Sequence, residues 1–67
     1  MKLLINGDTV EVPESVTNVE ALLKHFGLDN KVVIVEKNKD ILQKESHLNE
    51  SVSEGDQLEL VHFVGGG

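Results

Sequence analysis

The stretch TNVEALLKHFG is the clearest helical pattern in this 67-residue chain. Thr17 and Glu20 have the spacing of a capping box, and Gly27 stands where a left-handed residue commonly follows a helix. Between them, apolar residues recur at i, i+3, i+4 and i+7 and form one stripe, namely Val19, Leu22, Leu23 and Phe26. A single amphipathic helix must bury its stripe against another layer, and the other segments read as strands.

Two short strands are predicted before the helix, in KLLINGDTVEV. Asn6-Gly7 readily takes the positive φ angles of a tight hairpin turn, and Asp8 completes the turn segment. Leu3 and Ile5 would share one face, with Leu4 on the other. Pro13 ends the second strand because it cannot donate a ladder hydrogen bond.

Further strands are predicted after the helix. The β-branched run Val32 to Val35 suits a strand with both faces at least partly covered, and Ile41-Leu42 forms a short return strand after a turn at Asn38. The following polar segment offers Leu48 and Val52 as its anchors to the core.

The last strand, QLELVHFV, alternates between two faces. Leu58 and Leu60 would face the core, whereas Glu59, Val61 and Phe63 would face away. Leu4 is expected on that same outward face, so we predict a partner-binding surface formed by Leu4, Val61 and Phe63. The order β-β-α-β-(β)-β then indicates a two-layer α+β domain in which one helix covers a mixed sheet of four to five strands.

The composition narrows the classes of function. The chain has 12 acidic residues against six lysines, a net charge of −6 and no cysteine. An acidic surface repels phosphate and anionic lipid, so nucleic acid and membranes are poor partners and a basic protein surface is a better one. The segment after Met1-Lys2 is too short for a signal peptide, so a cytoplasmic location is expected.

No residue pattern indicates an enzyme or a metal site. His25, His47 and His62 lie far apart without ligand spacing, and a structural role is expected for each. Phosphate-binding glycine motifs and a catalytic triad are absent from the sequence. We therefore expect no catalytic residue, metal or cofactor on this chain, and a monomer when it is free.

The C-terminal tripeptide Gly65-Gly66-Gly67 is the remaining feature. Residues 1–64 are predicted as the domain and 65–67 as a flexible tail. Glycines lack Cβ atoms, so they let the backbone enter a narrow channel and leave the terminal carboxylate sterically open. That carboxylate needs activation by ATP, for which the chain has no binding motif, so the tail indicates a protein substrate.

The length, the element order, IVEKN and the terminal VHFVGGG together resemble the ThiS family of sulfur carriers, especially members from Bacillus-type bacteria. The resemblance covers the whole chain and implies the ubiquitin-like β-grasp fold, in which the first and last strands lie parallel at the sheet centre. It implies that Gly67 carries first an adenylate and then a thiocarboxylate, that Gly66 completes the Gly-Gly pair, and that Gly65 is an additional glycine.

The resemblance also implies the partners. A ThiF-type adenylating enzyme uses ATP and magnesium, a cysteine desulfurase supplies sulfur, and thiazole synthase ThiG takes the sulfur to build the thiazole of thiamine. Because a Gly-Gly end is shared more widely, two alternatives remain at this point: a small subunit of molybdopterin synthase, and a ubiquitin-like modifier that forms isopeptide bonds. An interaction module with an incidental tail is a third.

Overall fold

The computed structural model describes residues 1–62, and residues 63–67 lie outside the described part. Within residues 1–62 the elements follow the predicted order. They are β1 (Lys2–Ile5), β2 (Asp8–Glu11), α1 (Val19–His25), β3 (Val33–Lys37), β4 (Asp40–Leu42), a short 3₁₀ helix (Lys44–Ser46) and β5 (Gln57–His62).

The strands form one mixed sheet in the order β2-β1-β5-β3-β4. The first and last strands are parallel neighbours, with Ile5 beside Leu58, whereas β5 and β3 are antiparallel. The predicted central pairing of the first and last strands is therefore confirmed. Strand β5 is therefore the central strand of the five, with β1 on one side and β3 on the other.

The β1–β2 hairpin turns at the predicted Asn6-Gly7 pair. Asn6 has a φ of 51° and Gly7 a φ of 86°, so both central residues are left-handed. Two consecutive positive φ angles give the turn a twist that matches the strands it connects. The short loop therefore brings β2 back beside β1 in register, with Ile5 opposite Asp8.

The helix begins one residue later than the capping box suggested. Asn18, not Thr17, is the N-cap, and its Oδ1 accepts a hydrogen bond of 2.8 Å from the amide of Ala21. The carbonyl of Thr17 instead accepts from the amide of Val52 at 3.0 Å. Thr17 is thus engaged in joining the helix entry to the segment before β5, and Asn18 satisfies the helical amide.

Gly27 follows the helix in the left-handed conformation, as predicted, with a φ of 72°. The Leu28 amide donates to the Leu23 carbonyl at 2.8 Å and the Gly27 amide donates to the Lys24 carbonyl at 3.0 Å, which together form a Schellman motif. Phe26 is the C-cap and is 38% exposed, so the prediction that it belongs to the buried stripe is wrong. Leu28 packs against the core there instead.

The core lies between the helix and one face of the sheet. It consists of Leu3, Ile5, Val12, Val16, Val19, Leu22, Leu23, Val35, Val52, Leu58 and Leu60. Of the two predicted loop anchors, Val52 is buried, but Leu48 is 59% exposed. His47 is buried beside it because its carbonyl accepts a hydrogen bond of 3.1 Å from the Glu20 amide, which fixes the 3₁₀ helix to the start of α1.

Strand β3 is covered on one face only, contrary to the prediction. Val35 is fully buried, but Ile34 on the opposite face is 45% exposed, and Val32 precedes the strand and is 72% exposed. The helix covers one side of the sheet, and within residues 1–62 no second layer covers the other side. In the described part of the chain, no helix has the length and apolar character required to cross a membrane.

Candidate functional site

Strand β5 leads directly to the C-terminal residues. Its last residue, His62, pairs with Val33 of β3. On the other side β1 ends at Ile5, and its turn lies at the same end of the sheet. The chain therefore continues toward its C-terminus from a central strand, at the end of the sheet that carries the Asn6-Gly7 turn.

The side chain of Asn6 extends the pairing between β1 and β5. The Leu60 amide donates to Asn6 Oδ1 at 2.8 Å, and Asn6 Nδ2 donates to the Leu60 carbonyl at 3.1 Å. The Asn6 amide itself donates to the Leu58 carbonyl at 2.9 Å. Asn6 alone thus makes hydrogen bonds to two residues of β5, Leu58 and Leu60. Sequence reasoning missed this role because the hairpin turn was a sufficient explanation for Asn6.

The predicted partner-binding residues are placed as follows. Val61 lies on the sheet face opposite the helix and is 51% exposed. Leu4 lies on the same face and is partly exposed, but it pairs with Gln57, about 13 Å along β5 from Val61 at the usual strand rise. Phe63 and the tail residues Gly65, Gly66 and Gly67 lie outside the described residues. Val61 and Leu4 therefore share a face without being neighbours.

Sequence reasoning missed the apolar residue opposite Val61 and a second apolar residue on the same face, one strand further away. Ile34 lies directly opposite Val61 in the β3–β5 pair, and Ile41 lies opposite Glu36 in the β3–β4 pair. Ile41 is 66% exposed, more than Ile34 or Val61. The alternation within β3 could have placed Ile34 on this face, but only the pairing of β3 with β5 brings it beside Val61.

Two carboxylates lie between these apolar residues. Glu59 is directly opposite Glu36 in the β3–β5 pair. The ion pairs formed within residues 1–62 use Glu11, Glu50 and Asp56, so neither Glu36 nor Glu59 has a cationic partner there. We call this surface the outer patch: Ile34, Glu36, Ile41, Glu59 and Val61.

The opposite end of the sheet is fixed by Lys37. Its Nζ lies 3.0 Å from Glu50 and 3.7 Å from Asp56, and it donates to the Ser51 carbonyl at 2.8 Å. Lys37 is largely buried, so these contacts compensate its charge. Lys37 is therefore occupied on the helix side and is not available to neutralise the outer patch.

A further ion pair joins the Met1 amine to Glu11 at 2.9 Å on the outer edge of β2. This hydrogen bond raises the pKa of the amine above its ordinary value and lowers the pKa of the Glu11 carboxyl. Each group holds the other in its charged form. The pair ties the first residue to β2 and lies away from the outer patch.

The three histidines do not form a common site. His25 is the last residue of the helix and makes an edge contact with Phe26 at 5.0 Å between ring centroids. His62 is exposed, and His47 is buried with no hydrogen bond to Nε2 among the described residues. Within residues 1–62, no group of three or more His, Asp or Glu side chains is arranged to hold a metal ion.

On the helix side, a groove of about 250 Å³ lies at the same end of the sheet. It is lined by Ile5, Asn6, Val10, Phe26, Leu28, Leu60 and His62. Partly exposed apolar side chains thus flank the end of β5 on both faces. Such an end suits contact with another protein surface around the emerging chain.

Comparison with known proteins connects this arrangement to a family. A family model described as the ThiS family matches residues 3–67. The sulfur carrier protein ThiS of Bacillus subtilis is 42% identical over 65 residues, which cover 97% of this chain and 98% of that protein. A thiazole synthase of Paramagnetospirillum magneticum is 48% identical over all 67 residues, but this chain spans only 20% of its length.

Solved structures agree with the fold. The crystal structure of the thiamine biosynthesis protein ThiS from Geobacter metallireducens has a TM-score of 0.82 and 33% identity, with all of both chains covered. A solution structure of a thiamine biosynthesis protein from the same organism has a TM-score of 0.80, 36% identity, and covers all of this chain and 88% of the other. The predicted β-grasp fold is therefore confirmed.

Proposed function

The chain belongs to the ThiS family, and from this premise we propose that it is a sulfur carrier protein for the formation of the thiazole of thiamine. The observation that carries the proposal is the match to a sulfur carrier of nearly the same length, 98% of which is covered. The family match extends through Gly67, so it includes the C-terminal glycines. In this proposal the α-carboxylate of Gly67 is the group that carries sulfur.

The proposed cycle has three steps, all catalysed by partners. The Gly67 carboxylate attacks the α-phosphate of ATP in a ThiF-type adenylating enzyme, and pyrophosphate leaves; magnesium and ATP belong to that enzyme. A persulfide sulfur supplied by a cysteine desulfurase then displaces AMP, and a thiol cleaves the sulfur–sulfur bond to leave a thiocarboxylate. Thiazole synthase ThiG finally takes this sulfur. Because activation consumes ATP, the proposed cycle is cytoplasmic.

The chain's own part in this cycle is presentation. Strand β5 is held on both sides, by β3 through His62 and by Asn6 through Leu60, so it provides a firm base for the residues that follow. Gly65 and Gly66 would enter the partner's channel, where a side chain would obstruct passage. Val61 and Phe63 are proposed to contact the partner beside that channel, and Leu4 to contact it farther along the same sheet face, at the level of Gln57.

The association with thiazole synthase has independent support. Thiazole synthases of Paramagnetospirillum magneticum and Magnetococcus marinus each contain a segment that matches all of this chain, at 48% and 37% identity. The chain spans 20% of the length of each. A shared polypeptide places the two activities at high effective concentration, which favours partners that must meet repeatedly.

Intact-mass analysis tests the proposed function. The chain is incubated with ATP, magnesium, the adenylating enzyme, a cysteine desulfurase and cysteine. We expect a mass gain that corresponds to exchange of one oxygen for sulfur. The matched control lacks only Gly67, and it should gain no sulfur, because a misplacement of about 1 Å can already cost roughly 100-fold in rate.

Two outcomes would contradict this function. If the truncated chain gains sulfur as fast as the full chain, Gly67 is not the acceptor. If the full chain instead forms a stable bond to a lysine of another protein and no thiocarboxylate, it is a protein modifier. Equal melting temperatures for the two chains would confirm that truncation has not unfolded the domain.

A further inference from the structure

The outer patch contains an arrangement that stability does not explain. Two glutamates, Glu36 and Glu59, lie directly opposite each other on neighbouring strands. Like charges at directly opposite positions destabilise a sheet. No ion pair within residues 1–62 includes either carboxylate, and the one lysine of β3, Lys37, is engaged on the other face by Glu50 and Asp56. The pair is therefore left without compensation in the free domain.

The surroundings of this pair resemble an interface rather than an ordinary solvated surface. On this face, Ile34 and Val61 form the pair nearest the C-terminal end of β5. Ile41 lies across β3 from Glu59, next to Glu36. All three isoleucine and valine side chains are between 45% and 66% exposed. Apolar side chains thus border the two carboxylates on two sides and would shield a bound cation from water, which strengthens its attraction to them.

We propose that Glu36 and Glu59 together receive one cationic side chain of the adenylating partner, with Ile34, Ile41 and Val61 in contact with the apolar surface around it. The proposal rests on the function proposed above and specifies the chemistry of its docking surface. An arginine fits best, because its planar guanidinium can donate to two carboxylates at once and is more weakly hydrated than an ammonium group.

Charge complementarity identifies the occupant as this enzyme rather than a second copy of the chain. A site that binds ATP and draws in the Gly67 carboxylate must have a positive potential at its entrance, and the outer patch adjoins the strand that leads to Gly67. Face-to-face contact between two copies would bring four carboxylates together across a two-fold axis, which opposes self-association through this face.

The test compares Glu36→Gln, Glu59→Gln and the double variant with Glu45→Gln. Glu45 is an exposed acid of the 3₁₀ helix, so its substitution makes the same charge change as either single variant, but away from the sheet. Thiocarboxylate formation is measured by intact mass at increasing carrier concentration, with the adenylating enzyme fixed and limiting. We expect the KM of the double variant for the enzyme to rise at least about tenfold, with kcat nearly unchanged.

Further readouts separate docking from folding. The melting temperatures of the Glu36→Gln and Glu59→Gln variants should equal or exceed that of the wild type, because a like-charge pair has been removed. The KM of the wild type should rise with salt more steeply than that of the double variant, because a charge contact is screened by ions. Glu45→Gln should keep the wild-type KM within about twofold.

The inference is wrong if the double variant has the same KM and salt dependence as Glu45→Gln. It is also wrong if the KM changes only in proportion to a loss of folded protein. In either case, a wild type that still forms the thiocarboxylate would support the proposed carrier function. A wild type that gains no sulfur would refute that function itself.

Discussion

Asn6 pairs through its side chain with the main chain of Leu60, a residue 54 positions away. Its Oδ1 accepts from the Leu60 amide at 2.8 Å, and its Nδ2 donates to the Leu60 carbonyl at 3.1 Å. Strand β1 ends at Ile5. Asn6 continues the pairing with β5 by one residue, because its backbone amide donates to the Leu58 carbonyl. The hairpin turn thus also supports the central strand β5 near its C-terminal end.

Replacement of Asn6 by alanine should lower the free energy of unfolding by about 3–4 kcal/mol. Two hydrogen bonds of about 1 kcal/mol each are lost, and alanine in the left-handed region costs roughly 1–2 kcal/mol more. Asn6→Gly is the matched control, because glycine accepts the φ of 51° and loses only the side-chain bonds. Urea unfolding measures both, and equal stabilities of alanine and glycine variants would contradict the backbone contribution.

The position of the helix N-cap can be tested with neighbouring residues. Asn18→Ala should destabilise the domain by about 0.5–2 kcal/mol, because it removes the acceptor for the Ala21 amide. Thr17→Ala should change the free energy of unfolding by less than about 0.5 kcal/mol, since Thr17 contributes its carbonyl and not a capping hydroxyl. If thermal or urea unfolding showed a larger loss of stability for Thr17→Ala than for Asn18→Ala, Thr17 would be the N-cap, as the capping box predicted.

Truncation to alanine should affect stability to very different extents at two residues of β5. Leu58 is fully buried, so Leu58→Ala should cost about 2–5 kcal/mol through lost burial and a cavity. Val61 faces outward, and Val61→Ala should change the free energy of unfolding by about 0.5 kcal/mol or less. Comparable destabilisation by the two variants would show that the outer face is covered in the free protein.

The ion pair between the Met1 amine and Glu11 predicts a small, bell-shaped pH dependence of stability. The folded pKa of Glu11 is lowered below its ordinary 4.5, so its contribution is present above that pH and is lost as the pH falls through the lowered value. The folded pKa of the amine is raised above its ordinary 8.0, so its contribution is present below that pH and is lost as the pH rises through the raised value.

The stability difference between wild type and Glu11→Gln should therefore be largest between these limits and shrink on both sides. Because Glu11 is 68% exposed, the difference should also decrease in high salt. Chemical unfolding at several pH values measures it. A difference that is independent of pH would mean that the pair contributes nothing through its charges.

Local patterns in the sequence were sufficient for some parts of the fold. The Asn6-Gly7 turn and the left-handed Gly27 were predicted because their φ angles depend on the residue itself and its immediate neighbours. The burial of Leu58 and Leu60 was predicted from alternation in one strand. The predicted start of the helix was one residue too early, because Thr17 and Asn18 are both good N-cap residues. In the structure Asn18 is the N-cap, and the Thr17 carbonyl accepts a hydrogen bond from the Val52 amide.

Burial in the loop before β5 depended on packing rather than on hydrophobicity. Leu48 was expected to be buried and is exposed, whereas its neighbour His47 is buried. The hydrogen bond between the Glu20 amide and the His47 carbonyl orients this segment toward the helix. In an irregular segment, the exposure of a side chain depends on such contacts with distant elements. The local hydrophobic pattern therefore does not predict it.

The sequence by itself determined the single helix, the hairpin turn and the alternation of the last strand, and its glycine end indicated a protein substrate. Only the tertiary structure decided that Ile34 lies beside Val61, that Glu36 lies opposite Glu59, and that Leu4 is remote from Val61 on the same face. The physical reason is that turns and helices are specified by neighbouring residues, whereas a surface across strands depends on which strands pair and in what register.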